Sequence, residues 1–277
     1  MTQMAIGEDE LEALRTRSKQ VRRRIVEGLW AAGGGHYGGA LSVADILVTI
    51  YARASACRAL AAKRDMILLS KGHGAIAFYA LLEMAGELPQ GCVDRYATFG
   101  AGVEGHPDVT VTPQVGFSTG SLGQGLSVAA GIALALGETA GRVWVVLGDG
   151  ECQEGQIWEA AQFAARYRLS GITVVIDHNS AQEFGYGYRP DLEQLPLPGM
   201  AGIWQAFGWN VQEIDGHDHA DLSRALIAST VSDRPTAVIA HTCKGMGVPR
   251  FASEPERYHC TTLNEAEHRL ALRSIEQ

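Results

Sequence analysis

Two short apolar runs, residues 143–147 (VWVVL) and 172–176 (ITVVI), constrain this chain more than any other feature. Both are rich in β-branched residues, the pattern of strands covered on both faces of a parallel sheet. Between them Ile157, Ala160, Ala161, Ala164 and Ala165 recur at helical spacing, so the segment reads as a βαβ unit. Parallel sheets receive ligands beyond the carboxyl ends of their strands. Asp149 lies just past the first run, in the turn Gly148-Asp149-Gly150, and Asn179 lies just past the second. Alone, such a turn is a common plain connection. At adjacent strand ends, two oxygen-bearing side chains can share one hard cation, with a diphosphate supplying further oxygens.

The same arrangement recurs upstream. Met66–Leu69 predicts a short strand, followed by SKGHG and a helical segment, so a strand end, a glycine loop and a helix N-terminus coincide. The free N–H groups of a helix N-terminus suit phosphate. Before it, Leu11, Leu14, Val21, Ile25 and Leu29 mark a long helix from Glu8 to about Ala32, ended by Gly33-Gly34-Gly35. Ser42 is expected to N-cap a helix carrying Ile46, Leu47 and Ile50, which leaves His36 in the glycine-rich loop leading into it. Residues 100–125 have little regularity and many turn residues, and a loop of that length inside a compact domain is usually functional or disordered. An Ala-rich helix over 124–137, strands at 209–214 and 236–240, and a helix with Leu222, Leu226 and Ile227 complete the reading. No repeat and no Pro/Ser-rich linker divides the chain, and residues 195–199 (LPLPG) read as a turn-rich crossover. The expectation is one α/β domain over 1–277, a parallel sheet with helices on both faces.

Composition removes several classes of function. Hydrophobic residues at 46% and charged residues at 19% of 277 describe an ordinary globular chain. The net charge of −8 argues against nucleic acid and against an anionic membrane. The basic cluster Arg22-Arg23-Arg24 reads as the solvated face of an amphipathic helix. No run of about eighteen apolar residues exists to span a membrane, and the acidic N-terminus is no signal peptide. Five cysteines without a CxxC pair fit reduced thiols, hence a cytoplasmic chain, and Cys152 has no partners to make it a nucleophile. The 33 glycines cluster in turns, suggesting backbone that closely approaches a ligand.

Four motifs in order then point to a family. GDGECQEGQIWEAA followed about thirty residues later by Asn179 resembles the thiamin diphosphate signature in the form found in transketolases. GGGHYGGALSVADIL, RDMILLSKGHGAIAFYALL, and GHPD with STGSLGQG resemble further transketolase stretches, so the likeness runs over roughly residues 20–262. The resemblance implies the thiamin diphosphate-binding fold of the diphosphate-binding type. It implies that Asp149, Asn179 and the carbonyl of Ala181 hold Mg²⁺ (or Ca²⁺), and that His73, Gly120, Leu122, Gly150, Glu154 and Asn179 serve thiamin diphosphate. His36, His106 and His259 would face the substrate as hydrogen-bonding and acid/base groups, and Lys71 is a nearby charge. His217, in DGHD, reads as structural. Two departures stand out. Cys260 and Thr261 follow His259 where the family has Gly-Lys, and residues 180–185 replace the usual Gly and aliphatic residue after the asparagine.

What is missing matters as much. In the family a pyrimidine-binding domain and a C-terminal domain follow this half, and the glutamate that activates the cofactor belongs to the former. The chain is therefore expected to be the N-terminal subunit of a split transketolase, in an α2β2 assembly whose C-terminal partner brings that glutamate. Together they would transfer a two-carbon ketol unit from a ketose or its phosphate to an aldose. Glu154 matches a family glutamate at the subunit interface. Alternatives are the α-type subunit of a 2-oxo-acid dehydrogenase and a non-catalytic cofactor-binding subunit; deoxyxylulose-phosphate synthase shares the fold but normally carries all domains in one chain. A plain dinucleotide-binding domain is disfavoured, since no GxGxxG follows the first strand.

Overall fold

A computed structural model describes residues 6–61, 65–137, 141–182 and 199–277, with side chains of 55–61 excepted. The expectations that fall on residues 183–185 and 195–198, and on Cys57, lie outside the described residues. Among the described residues five strands, β1 (Met66–Leu69), β2 (Val143–Gly148), β3 (Ile172–His178), β4 (Asn210–Asp215) and β5 (Thr236–His241), form one sheet. Its order is β1-β2-β3-β5-β4, and every neighbouring pair is parallel. The expected βαβ unit is present: β2 and β3 pair in register from Val143 with Ile172 to Gly148 with Asp177.

Strand β2 is buried along its whole length, and its side chains alternate between two cores. Trp144 and Val146 join one cluster, while Val143, Val145 and Leu147 join the other, as the two-residue period of a strand requires. The first cluster is covered by α1 (Glu8–Ala31), α3 (Ala44–Ala61), α4 (Ala75–Met84), α8 (His219–Ser229), α9 (Pro249–Ser253) and α10 (Glu265–Glu276). The second is covered by α5 (Gln124–Leu136), α6 (Gly155–Arg166) and α7 (Met200–Ala206). The stripe of Ile157, Ala160, Ala161 and Ala164 is the buried face of α6; its small side chains let helix and sheet approach closely. Strand β4, at the sheet edge, is only partly buried, which is why its apolar pattern is weak. Among the described residues no helix is long and apolar enough to cross a membrane.

Two local expectations are corrected. Ser42 caps nothing: it ends a short helix α2 (Tyr37–Ser42), and its hydroxyl donates to Asp177 Oδ2 at 2.6 Å. The buried carboxylate outcompetes a capping role, because a charged acceptor makes the stronger hydrogen bond. Arg22 does not belong to a solvated face. It is 6% exposed and pairs with Asp45 of α3, while Arg23 remains at the surface and Arg24 bonds Glu27, Glu83 and Asp94.

At the carboxyl end of the sheet one buried ion pair gathers the segments that form the site. Lys71, just past β1, is 1% exposed and pairs with Asp177 of β3, which is wholly buried. The Lys71 ammonium also donates to Gly39 O at 3.2 Å, and Thr242, just past β5, donates to Asp177 Oδ1. Burial alone would raise the Asp177 carboxyl, but Lys71 and the two hydroxyls hold it below its usual range. Asp177→Asn is expected to lower the free energy of unfolding by about 3–5 kcal/mol, because it strands the Lys71 charge. Glu213→Gln, which opens the exposed pair with His241, should change it by less than about 1 kcal/mol. Equilibrium urea unfolding of both variants checks this, and equal effects would refute the clamp.

Candidate active site

A cavity of ≈ 450 Å³ opens at the carboxyl ends of β1, β2 and β3. Its wall includes His36, His73, His106 and His259, together with Gly120, Leu122, Asp149, Gly150, Asn179 and Ala181. These residues lie far apart in sequence, and the fold assembles them around one space. Glu154 is placed elsewhere: it is exposed, not part of the cavity wall, and its Cβ would lie 2.8 Å from a Cβ built on Gly123.

Three oxygen donors lie at adjacent strand ends. Asp149 is 3% exposed and accepts the Gly150 amide at 2.8 Å and the Ser180 amide at 2.6 Å. Burial and the nearby Asp177 carboxylate push its own carboxyl up from the ordinary value, so a cation beside it would be stabilising. Asn179 Oδ1 accepts the Ala181 amide at 3.1 Å. Ser180, between the two, has φ +54, a left-handed conformation that costs a non-glycine residue about 1–2 kcal/mol. That twist lets Ser180 donate back to Asp149 while the Ala181 carbonyl turns to the cavity wall. Among the described residues no group of three His, Cys, Asp or Glu could cage a metal. A cation held here would take one carboxylate, one amide oxygen and one carbonyl, with the remainder from a ligand. That set suits a hard ion such as Mg²⁺.

Opposite stands a cluster of imidazoles. The His36 ring lies 5.5 Å from His73, 5.5 Å from His259 and 6.4 Å from His106, centroid to centroid. Lys244, in the segment after β5, is 4% exposed; its ammonium donates to Ala181 O at 2.9 Å and meets His259 Nδ1 at 2.6 Å. An ammonium has no acceptor, so Nδ1 must accept, and the neutral ring then carries its proton on Nε2. Burial, and after it the Lys244 charge, lowers His259 from 6.5 to about 3. Burial and then Lys71 push His73 well below its ordinary value, and burial lowers His106. Around neutral pH these three rings are uncharged donors and acceptors in a partly dry site with two lysines. Such a site favours an anion.

Glycines allow the walls to close. A Cβ on Gly39 would lie 3.2 Å from the His73 ring, and one on Gly120, at φ +144, would lie 3.3 Å from His106. The loop carrying Gly120 and Leu122 is pinned by Glu151, 3% exposed, whose carboxylate accepts the Gly123 amide at 2.9 Å, the Gly148 amide at 3.1 Å and the Ser70 hydroxyl. Sequence reading missed Glu151 and Lys244, and it reduced Lys71 to a nearby charge. The signal was a charge beside glycine after a strand, in GDGE, SKG and CKG, but a buried charge reveals itself only through its partners. Cys152 is buried, and burial pushes its thiol well above the ordinary value, which agrees with its not being a nucleophile. Of the alternatives to a transketolase, none gains an observation here.

Comparison with known proteins follows the same lines. The family described as "Transketolase, thiamine diphosphate binding domain" matches residues 15–275. A 6-deoxy-6-sulfo-D-fructose transketolase subunit from a Clostridium species is 34% identical over 270 residues, covering 95% of this chain and 96% of that one. A subunit of an apulose-4-phosphate transketolase from Phocaeicola vulgatus is 34% identical over 256 residues, covering 90% and 89%. The crystal structure of a transketolase from Campylobacter jejuni superposes with a TM-score of 0.84 at 24% identity, covering 96% of this chain but 43% of that one. The chain thus matches the subunits almost end to end and spans less than half the length of the single-chain enzyme.

The depressed imidazoles link stability to pH. His259 binds a proton near 6.5 when unfolded but only at about 3 when folded. Below 6.5 the unfolded chain therefore takes up a proton that the folded chain refuses, and stability falls as pH drops from about 6.5 toward 3. Each such ring adds a slope of up to about 1.4 kcal/mol per pH unit. Urea unfolding at pH 7.5 and pH 5 should show the loss, and His259→Gln should reduce it. A slope unchanged by that substitution would refute the assignment.

Proposed function

The chain belongs to the transketolase thiamin diphosphate-binding family, and from that premise we propose that it is the N-terminal subunit of a split transketolase. The observation that carries the reading is the meeting of Asp149, Asn179 and the Ala181 carbonyl with four imidazoles across one cavity. The oxygen set would hold Mg²⁺, and Lys71, Lys244, His73 and the Gly150 backbone would hold the diphosphate that the ion neutralises. When bound, thiamin diphosphate supplies the electron sink for breaking a carbon–carbon bond beside a ketose carbonyl. The chain's own groups bind and orient. His259, protonated on Nε2, donates to an oxygen that gains negative charge during the reaction, and its low pKa keeps it neutral for that task. His36 and His106 orient the hydroxyls of the donor sugar.

Because the matched relatives are named as subunits, we assign the activating carboxylate to a C-terminal partner in an α2β2 assembly, with Glu154 at the shared face. That partner also supplies the pyrimidine-binding and C-terminal domains. The substrates are a ketose, or its phosphate or sulfonate, as two-carbon donor and an aldose as acceptor; the matched subunits carry 6-deoxy-6-sulfo-D-fructose and apulose-4-phosphate in their names. We place this work in the cytoplasm, in line with five cysteines that form no CxxC pattern.

Two measurements test this. Asp149→Ala should weaken Mg²⁺-dependent thiamin diphosphate binding by more than about 100-fold in titration calorimetry while unfolding stays cooperative. Undiminished binding would refute the metal site. Tagged chain drawn from its host extract should bring down a second polypeptide, and ketol transfer should appear only in the joint complex. Activity of the chain alone would overturn the split assignment.

A further inference from the structure

His217 lies outside the cavity, in the turn between β4 and α8, yet it joins a buried acid to the segment that follows β5. Its Nε2 accepts the Cys243 amide at 2.8 Å. An amide only donates, so Nε2 bears no proton, and Nδ1–H must donate to Asp45 Oδ2 at 2.7 Å. The tautomer is thereby set by its two partners. Asp45 is 3% exposed and is held from behind by Arg22 of α1. Burial alone would raise its carboxyl, but His217, His219 and Arg22 keep it well below the carboxylate range, so the acceptor stays ionised.

The segment that His217 grips is the one that carries Lys244. The Gly216 amide donates to His241 O at 2.8 Å, and a Cβ on Gly216 would lie 2.5 Å from Thr242 Cγ2, so the turn is pressed against this segment. On the far side of Lys244 the Gly245 amide donates to Gly38 O at 3.0 Å. A Cβ on Gly38 would lie 2.9 Å from Lys244 Cγ. Lys244 is therefore anchored by one backbone amide before it and one after it, and its stem runs close against Gly38. Its ammonium arrives at Ala181 O and His259 Nδ1.

We infer that His217 is a positioning residue: backed by Asp45, its imidazole holds the Cys243 amide and so aims Lys244 at the Ala181 carbonyl and His259. The acceptor at Nε2 is the part that matters for the Cys243 amide, while Nδ1–H ties the ring to Asp45. The inference rests on the proposed function only in giving Lys244 a ligand to meet, and its test involves neither ligand nor turnover.

The full-length chain is treated with limiting acetic anhydride, and the labelling rates of individual lysines are read by peptide mass spectrometry. Lys19, exposed, is the reference, and Lys71, buried through Asp177, is the control. His217→Leu should raise Lys244 labelling roughly fivefold, the scale of one hydrogen bond, with Lys71 unchanged. His217→Gln, which keeps an acceptor where Nε2 stands, should stay within about twofold of the native rate, whereas His217→Asn, too short to reach Cys243, should behave as the leucine variant. Should the leucine variant not fold, the contrast between glutamine and asparagine decides alone. Equal rates for those two, a native rate in the leucine variant, or Lys71 rising in step with Lys244 would each overturn the inference; the last would mean that His217 merely stabilises the fold.

Discussion

The buried pair of Lys71 and Asp177 is the interaction on which the rest of the structure turns. Through it the ends of β1 and β3, the first residues after β5 and the short helix α2 converge on two carboxylate oxygens. A charge with no exposure is tolerable only where its partners are fixed. The requirement therefore runs outward: Ser42 must give its hydroxyl to Asp177 rather than to a helix end, and Gly39 must turn its carbonyl to Lys71. His36 and His73 flank these anchors in sequence, so their rings inherit the placement.

Around that pair the cavity brings carboxylate and carbonyl oxygens together with lysines and imidazoles, which on the proposed function is a place for an anionic ligand with its cation. The Asp149, Asn179 and Ala181 oxygens come from the ends of β2 and β3, and Lys244 joins the Ala181 carbonyl to His259. Burial and the lysine charges keep His73 and His259 neutral, and burial does so for His106. Neutral rings can both donate and accept, which charged ones cannot. The lowered pKa of His259 and the contact between Lys244 and the Ala181 carbonyl are thus two results of one arrangement. A protonated His259 would have to share that corner with an ammonium group.

Two different means of precision hold the walls. Glu151 fixes the Gly120–Leu122 loop with backbone amides and a hydroxyl, a carboxylate acting within one layer of the fold. Asp45 acts at a distance: it links α1 and α3 to the turn after β4, and from there to the segment after β5. In both cases a buried acid with little exposure organises groups of low sequence proximity. Neither acid touches the cavity through chemistry of its own that a motif would advertise, although Glu151 lies in its wall.

Much of this was legible in the residues. The runs at 143–147 and 172–176 had to be neighbouring parallel strands, because their composition suits burial on both faces and one helix of α6 length separates them. Asp149 and Asn179 therefore had to meet, and His36, His73 and His106, each beside a glycine, had to lie in turns and connections. These are consequences of local periodicity and chain connectivity. The insertion of β5 between β3 and β4, the inward turn of Arg22, the loss of Ser42 as a cap, and the partners of Lys71 and Lys244 were not legible. Each depends on which distant group shares a dry pocket. Hydrophobic periodicity records which face of an element is buried, but the partner of a buried charge is settled by three-dimensional proximity, and only the folded chain supplies it.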